Sequence, residues 1–187
     1  NVLGCLPEEI IFTSSGSESN NMVLKGILKT GDHFITSSYE HPAIIKVLPF
    51  LEEKGVTFSL VKPDNNGIIQ PESVEEHIQD NTRLISIMYV NNELGTINPI
   101  KEIAQISHEK EILFHSDAVQ ALGKIPVDLR SIPVDFLSMS AHKLYGPKGI
   151  GGLFIRKGAT LEPLIYGGGQ EANLRASTEN IAGIGGF

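Results

Sequence analysis

The chain has 187 residues, 41% of them hydrophobic, a net charge of −7 and one cysteine, Cys5. That is enough apolar material for one compact core, and interspersed charges without a basic run argue against nucleic acid as a main partner. A lone cysteine excludes an internal disulfide framework and fits a reducing, cytoplasmic setting, and no apolar stretch approaches the roughly 20 residues that a membrane helix needs.

The opening residues Asn1-Val2-Leu3-Gly4 carry neither a basic nor a long apolar region, so no signal peptide is expected. The missing initiator Met suggests a piece of something longer. Ile10 to Thr13 forms the first strand and runs into Ser14-Ser15-Gly16-Ser17-Glu18, where Ser15 and Glu18 have capping-box spacing for a helix reaching Lys29. Gly31 stops it, and His33 to Thr36 is the next strand. Pro42 opens a helix carrying Ile44, Ile45, Leu48 and Leu51, which Gly55 ends. Val56 to Val61 has strand composition, Asp64 to Gly67 is a turn, and Pro71 opens a helix with Val74 and Ile78 on one face. Leu84 to Met88 reads as a buried strand, and Ile100, Ile103, Ala104 and Ile106 recur with helical period. Ile112-Leu113-Phe114, Val134 to Leu137 and Gly152 to Ile155 are the last strands. Strands separated by helical segments imply a three-layer α/β/α domain over residues 1–187, with a mostly parallel sheet of about seven strands.

In such a sheet ligands bind beyond the carboxyl ends of the strands. Five loops fall there: Ser14 to Ser17, Ser38 to His41, Asn91 to Glu93, Asp117 to Gln120 and Ser140 to Lys143. Each also has a plain structural explanation. Capping alone accounts for Ser15-Gly16-Ser17, although its free N–H groups and positive helix end also suit a phosphate. His41 can be a satisfied loop histidine or a flat ring stacked on a pyridine. Asn91-Asn92-Glu93-Leu94-Gly95 can be an ordinary turn, Asp117 a cap and Lys143 a solvated lysine. Gly146 to Gly152 reads as a tight turn into the last strand, and Gly167-Gly168-Gly169 as flexible loop. Cys5 lies between Gly4 and Leu6-Pro7 with no base beside it, which favours a structural role. The six histidines show no zinc-ligand spacing, and there is no GxSxG elbow.

Together the loops say more. An Asp and a Lys delivered at the ends of successive strands, with Ser140 and His142 flanking the Lys, suit pyridoxal phosphate. The amine forms a Schiff base with the aldehyde, the carboxylate keeps the pyridine nitrogen protonated, and the hydroxyl and imidazole can bond the phosphate.

Phe12 to Ser19, Tyr39-Glu40-His41, Val90 to Gly95, His115 to Gln120, Ser138 to Gly149, and Gly167 to Glu171 with Arg175 to Thr178 resemble the cysteine desulfurases. These are fold-type I pyridoxal phosphate enzymes of the class V aminotransferase superfamily, and the resemblance runs through essentially the whole chain in order and spacing. It implies that Lys143 carries the cofactor, Asp117 pairs with the ring nitrogen and Gln120 bonds the phenolic oxygen. His41 stacks on the ring and assists proton transfer. Gly16, Ser17, Ser140 and His142 hold the phosphate, Thr178 reaches the phosphate of a neighbouring subunit in a homodimer, and Asn92 orients the substrate carboxylate. The implied reaction converts L-cysteine to L-alanine. The Lys143 amine, which this reading expects to be desolvated, removes the Cα proton, and a separate enzyme cysteine takes the sulfur as persulfide for iron–sulfur cluster assembly or tRNA thiolation.

The chain departs from that pattern in three ways. The family's persulfide cysteine and substrate-binding arginine belong to a C-terminal small domain outside this chain, an opening segment is also outside it, and Gly16-Ser17 stands where Ala-Thr is usual. The expectation is a large cofactor-binding domain that makes no persulfide by itself. A selenocysteine lyase or another class V enzyme would use the same Asp117, Gln120 and Lys143, and a noncatalytic interaction domain on this fold is the alternative of another class.

Overall fold

The computed structural model describes Val2 to Phe187; Asn1, where the expected domain and the leader reading begin, lies outside the described residues. The strands are β1 (Ile10–Thr13), β2 (His33–Ser37), β3 (Thr57–Val61), β4 (Thr82–Ser86), β5 (Leu113–Asp117), β6 (Phe136–Ser140) and β7 (Gly151–Ile155). They form one sheet in the order β1-β7-β6-β5-β4-β2-β3. Only β7 runs against its neighbours, pairing antiparallel with both β1 and β6. The mostly parallel seven-stranded α/β sheet expected from the sequence is therefore present.

The helices are α1 (Gly16–Ile27), α2 (Pro42–Ile45), α3 (Leu48–Glu53), α4 (Pro71–Glu75), α5 (Ile100–Glu109) and α6 (Ile181–Gly185). Adjacent strand residues alternate between the two faces of the pleat and feed two separate cores. Phe34, Leu84, Phe136 and Leu153 pack with Met22 and Leu24 of α1 and with Leu48 and Leu51 of α3. Ile35, Ile85, Leu137 and Phe154 pack on the other face with Val74 of α4 and Ile103 of α5. Because both faces are covered, the central strands read as continuous apolar runs. Neighbouring strands β2 and β4 thus send their following chains to opposite faces, and this opens a crevice between their carboxyl ends. Among the described residues no helix is long and apolar enough to cross a membrane.

Several boundaries differ from the sequence reading: the first helix ends at Ile27, the helix from Pro71 ends at Glu75 short of Ile78, and β5 and β6 begin and end later than expected. Two further differences have an evident physical cause. The expected helix from Pro42 toward Gly55 is broken into α2 and α3. Pro49 has no N–H to give Ile45, so the ladder cannot run through, and the chain restarts with Pro49 in the first turn of α3. The strand expected over Leu84 to Met88 lies at Thr82–Ser86 instead. Ile87 still donates to His115 O, but the Met88 N–H is taken by the Glu40 side chain at 2.8 Å, which pulls the chain out of the ladder.

Candidate active site

A cavity of about 290 Å³ opens at the carboxyl edge, lined from all five expected loops, with His41 alone reaching it from the Ser38 to His41 loop and Asn92 alone from the Asn91 to Glu93 loop. Helix α1 supplies Gly16 and Ser17. Its N-cap Ser15 accepts from Glu18 N at 3.2 Å, and the Glu18 carboxylate reaches back to Ser14 N at 2.8 Å. The first backbone N–H groups of a twelve-residue helix therefore face the cavity with a positive dipole end. A Cβ on Gly16 would sit 2.5 Å from Val119 Cγ2, so a larger residue here needs that side chain to shift. The valine methyl fills the space that an alanine would use, which accommodates the departure from the usual Ala-Thr pair.

Opposite that helix end lies Asp117, the last residue of β5 and 5% exposed. Its Oδ2 accepts from Asn20 Nδ2 at 2.7 Å and its Oδ1 from Val119 N at 3.0 Å. Burial pushes its carboxyl pKa up, while those two donors and the nearby His41 pull it down. His41 caps α2, with Nδ1 accepting from Ala43 N at 3.1 Å, so the neutral ring carries its proton on Nε2. Ser140 ends β6, and its Oγ lies 2.8 Å from His142 Nδ1, within the 3₁₀ turn Ala141–Leu144 that carries Lys143. Tyr145 closes this turn in the left-handed region at φ 63°. Gln120 lines the cavity with its Oε1 accepting from Lys124 Nζ, which leaves its amide N–H groups as the donors for an oxygen. Asn92 also lines the cavity, whereas Asn91 is buried and structural, bonding Glu93 N, Leu94 N and Tyr39 O.

Every residue expected at the site therefore meets in one cavity, except Thr178, which is exposed in a neighbouring hollow with Ser14, Arg175 and Asn180. Lys143 corrects one expectation: in the single chain it is exposed rather than desolvated, because the short turn that carries it stands at the rim. Sequence reasoning missed Asn20, Met88 and Val119 as lining residues, and Glu40 beside them. Glu40 is buried behind His41, its Oε1 accepting from Ser37 Oγ at 2.6 Å as well as Met88 N, and burial drives its pKa to about 8. Cys5 is half-buried against the core at the far end of the molecule, and burial raises its thiol pKa, the reverse of an activated nucleophile.

The donor set suits pyridoxal phosphate: anion donors at a helix start, a buried carboxylate across the cavity, an imidazole and an amine between them. These are the features of a pyridoxal phosphate enzyme of fold type I. The aminotransferase class-V family model matches residues 1–187, and the chain belongs to that family, whose members depend on pyridoxal phosphate. Relatives it resembles there include cysteine desulfurases. The IscS cysteine desulfurase of Dictyoglomus turgidum is 51% identical over 97% of this chain and 47% of its own length. The solved structure of SspA in complex with cysteine superposes with a TM-score of 0.95 at 44% identity, over 99% of this chain and 55% of that one. A NifS-like protein gives the same TM-score and identity over 99% of this chain and 52% of its own. The chain thus spans about half the length of the relatives it matches.

Proposed function

We propose that these residues form the single cofactor-binding large domain of a cysteine desulfurase, whose whole protein takes sulfur from L-cysteine, leaves L-alanine and passes the sulfur to acceptor proteins. The acceptors serve iron–sulfur cluster assembly or tRNA thiolation in the cytoplasm. What carries the reading is the convergence of Gly16, Ser17, His41, Asn92, Asp117, Gln120, Ser140, His142 and Lys143 on one cavity.

When bound, pyridoxal phosphate supplies an aldehyde for amines and a protonated ring that takes up electrons. The chain's residues do the rest. Gly16, Ser17, Ser140 and His142 offer donors for a dianionic phosphate at the start of α1. Asp117, held by two neutral donors, presents a carboxylate to the ring nitrogen, and Gln120 an amide N–H to the phenolic oxygen. His41 lays its ring against the cofactor, with the Nε2 proton pointing away from the helix it caps. Lys143, at the rim, would hold the cofactor through its Nζ and would be the group placed to take up a proton from the substrate Cα. Asn92 faces the substrate carboxylate. Thr178, outside the cavity, serves the phosphate of a second copy, which makes the working unit a homodimer. The thiol that receives sulfur would be one other than Cys5, which does not line the cavity and whose pKa burial raises.

Borohydride trapping of added pyridoxal phosphate, followed by peptide mass mapping, tests this. A pyridoxyl adduct at Lys143, absent in Lys143→Ala, is the expected result. Equal labelling of surface lysines in both proteins would overturn the assignment of the cavity.

A further inference from the structure

Helix α1 starts at the phosphate end of the cavity, and one turn later Asn20, 1% exposed, reaches Asp117. Its Nδ2 donates to Asp117 Oδ2 at 2.7 Å, while its Oδ1 is buried with no hydrogen-bond partner. Turning the amide over would set that oxygen against a carboxylate and lose the bond, so Asp117 fixes the amide's orientation. A buried amide with one end unsatisfied is unusual, and it is retained here for the end that donates.

The choice of an amide is informative. A lysine or arginine at this place would also hold Asp117, but would neutralise the charge that a ring nitrogen needs. Asparagine holds the carboxylate and leaves its charge available. The surroundings make this matter. Asp117 is faced by Val119 N from its own loop, by His41 from the loop after β2 and by the buried Glu40 carboxyl, and burial pushes both acids toward the neutral form. Glu40 does not line the cavity; Asp117 does. A donor aimed at Asp117 alone favours charge on the carboxyl that faces a ligand.

We propose that Asn20 is a positioning residue for the cofactor. It locks the Asp117 carboxylate, as an oriented acceptor, to the same helix whose first turn cradles the phosphate, so one rigid element sets the register of both ends of the ring. This rests on the assignment of Asp117 to the ring nitrogen made above.

The protein reconstituted with pyridoxal phosphate, carrying Asn20→Leu or the isosteric Asn20→Asp, tests it. The readouts are cofactor affinity, the pH midpoint of the bound cofactor's visible absorption and, in protein free of cofactor, the Asp117 carboxyl midpoint by ¹³C NMR, assigned with Asp117→Asn. Loss of a bond to a charged group predicts about tenfold weaker cofactor binding in Asn20→Leu, with the Asp117 midpoint raised by about one pH unit. Asn20→Asp, which sets two carboxyls face to face, should exceed both effects and keeps the packing if the leucine variant does not fold. Wild-type affinity and an unmoved carboxyl midpoint, whatever happens to the melting temperature, would overturn the proposal. If wild-type protein forms no adduct at Lys143, the reading of the site fails, and the carboxyl midpoint still decides the role of Asn20.

Discussion

The carboxyl edge of the sheet and the segment after β7 are built in opposite ways. At the carboxyl edge, buried side chains cross-link one loop to the next: Glu40 to Met88 N, Asn91 Nδ2 to Tyr39 O, Asn98 Nδ2 to Met88 O, and Asn20 to Asp117. The segment from Arg156 to Phe187 has one five-residue helix and an isolated bridge between Ile165 and Arg175. Glu171, Ala172 and Asn173 stand there at φ 46°, 56° and 65°, a left-handed run that L-residues adopt at a cost. A few tethers hold it: Glu162 N to Gly26 O at 2.9 Å, Phe12 N to Glu171 Oε2 at 2.8 Å and Arg175 to Glu18 at 2.7 Å. Precision at the cavity thus comes from buried hydrogen bonds that run from one element to the next, while the later segment is positioned by where it ties to α1 and β1.

The harshest way to break this contrast is Gly151→Ala, at the start of β7, where the strand packs against the N-cap of α1. A Cβ there would lie 2.6 Å from the Ser15 carbonyl carbon and 2.8 Å from Met139 O, both backbone atoms with nowhere to go. Overpacking of this kind predicts about 3 kcal/mol of lost stability, a fall in melting temperature of about 10 °C by calorimetry. The phosphate loop must shift with Ser15, so cofactor affinity should fall too. A melting temperature within experimental error of wild type would mean that the carboxyl edge is softer than its hydrogen bonds imply.

A gentler probe is pH, because two buried groups of opposite sign sit under the cavity. His115 bonds Ser86 Oγ at 2.7 Å and Ser138 Oγ at 2.9 Å, and burial depresses its pKa from 6.5 to about 3. The folded state keeps it neutral, so its contribution is whole above pH 6.5 and is lost as the pH falls toward 3. Glu40, raised from 4.5 to about 8, works the other way: its contribution is whole below pH 4.5 and is lost as the pH rises toward 8. The windows overlap between pH 4.5 and 6.5, and there the two slopes oppose each other. Denaturant melts across pH should show a plateau flanked by declines of about 1 kcal/mol per pH unit. Glu40→Gln should remove the alkaline decline and leave the His115 slope unopposed between pH 4.5 and 6.5, so that the plateau tilts upward with pH there. An alkaline decline unchanged in that variant would sink the assignment of a neutral, buried Glu40.

How much of this was legible in the sequence follows from the same contrast. The strands could be read because burial on both faces leaves them as apolar runs, and the reactive loops because β5 and β6 end in Asp117 and Ser140. The broken helix was legible in principle, since Pro49 stands in plain view. Asn20 was not. It sits in the pair Asn20-Asn21 within a helix, where both look like solvated polar residues, and only the fold decides which faces the cavity. The available signal was its spacing of four from Gly16, which places it on the same helix face. Glu40 was hidden for a similar reason: nothing in Tyr39-Glu40-His41 says that the acid turns inward and the imidazole toward the cavity. Lys143 was expected to be desolvated, but a single strand-end turn does not bury a side chain by itself.

The smaller effects belong to the tethers. Arg175 and Glu18 are 18% and 10% exposed and are joined by two hydrogen bonds, so Arg175→Ala leaves a largely buried carboxylate at the start of α1 with Ser14 as its remaining partner. Because Ser14 still bonds that carboxylate, the expected loss is about 1 kcal/mol, with faster hydrogen exchange over 165–180 and little change at β5 and β6. Lys29 and Glu162 form the contrasting ion pair, 52% and 61% exposed. In high dielectric the attraction is weak and two flexible side chains must be ordered to form it, so Lys29→Ala should cost less than about 0.5 kcal/mol. The backbone bond from Glu162 N to Gly26 O would still hold that stretch in place. Hydrogen exchange over 158–164 in Lys29→Ala should match wild type. Accelerated exchange there would show that the later segment depends on surface charge, and the contrast between a cross-linked edge and a tethered segment would have to be drawn more sharply still.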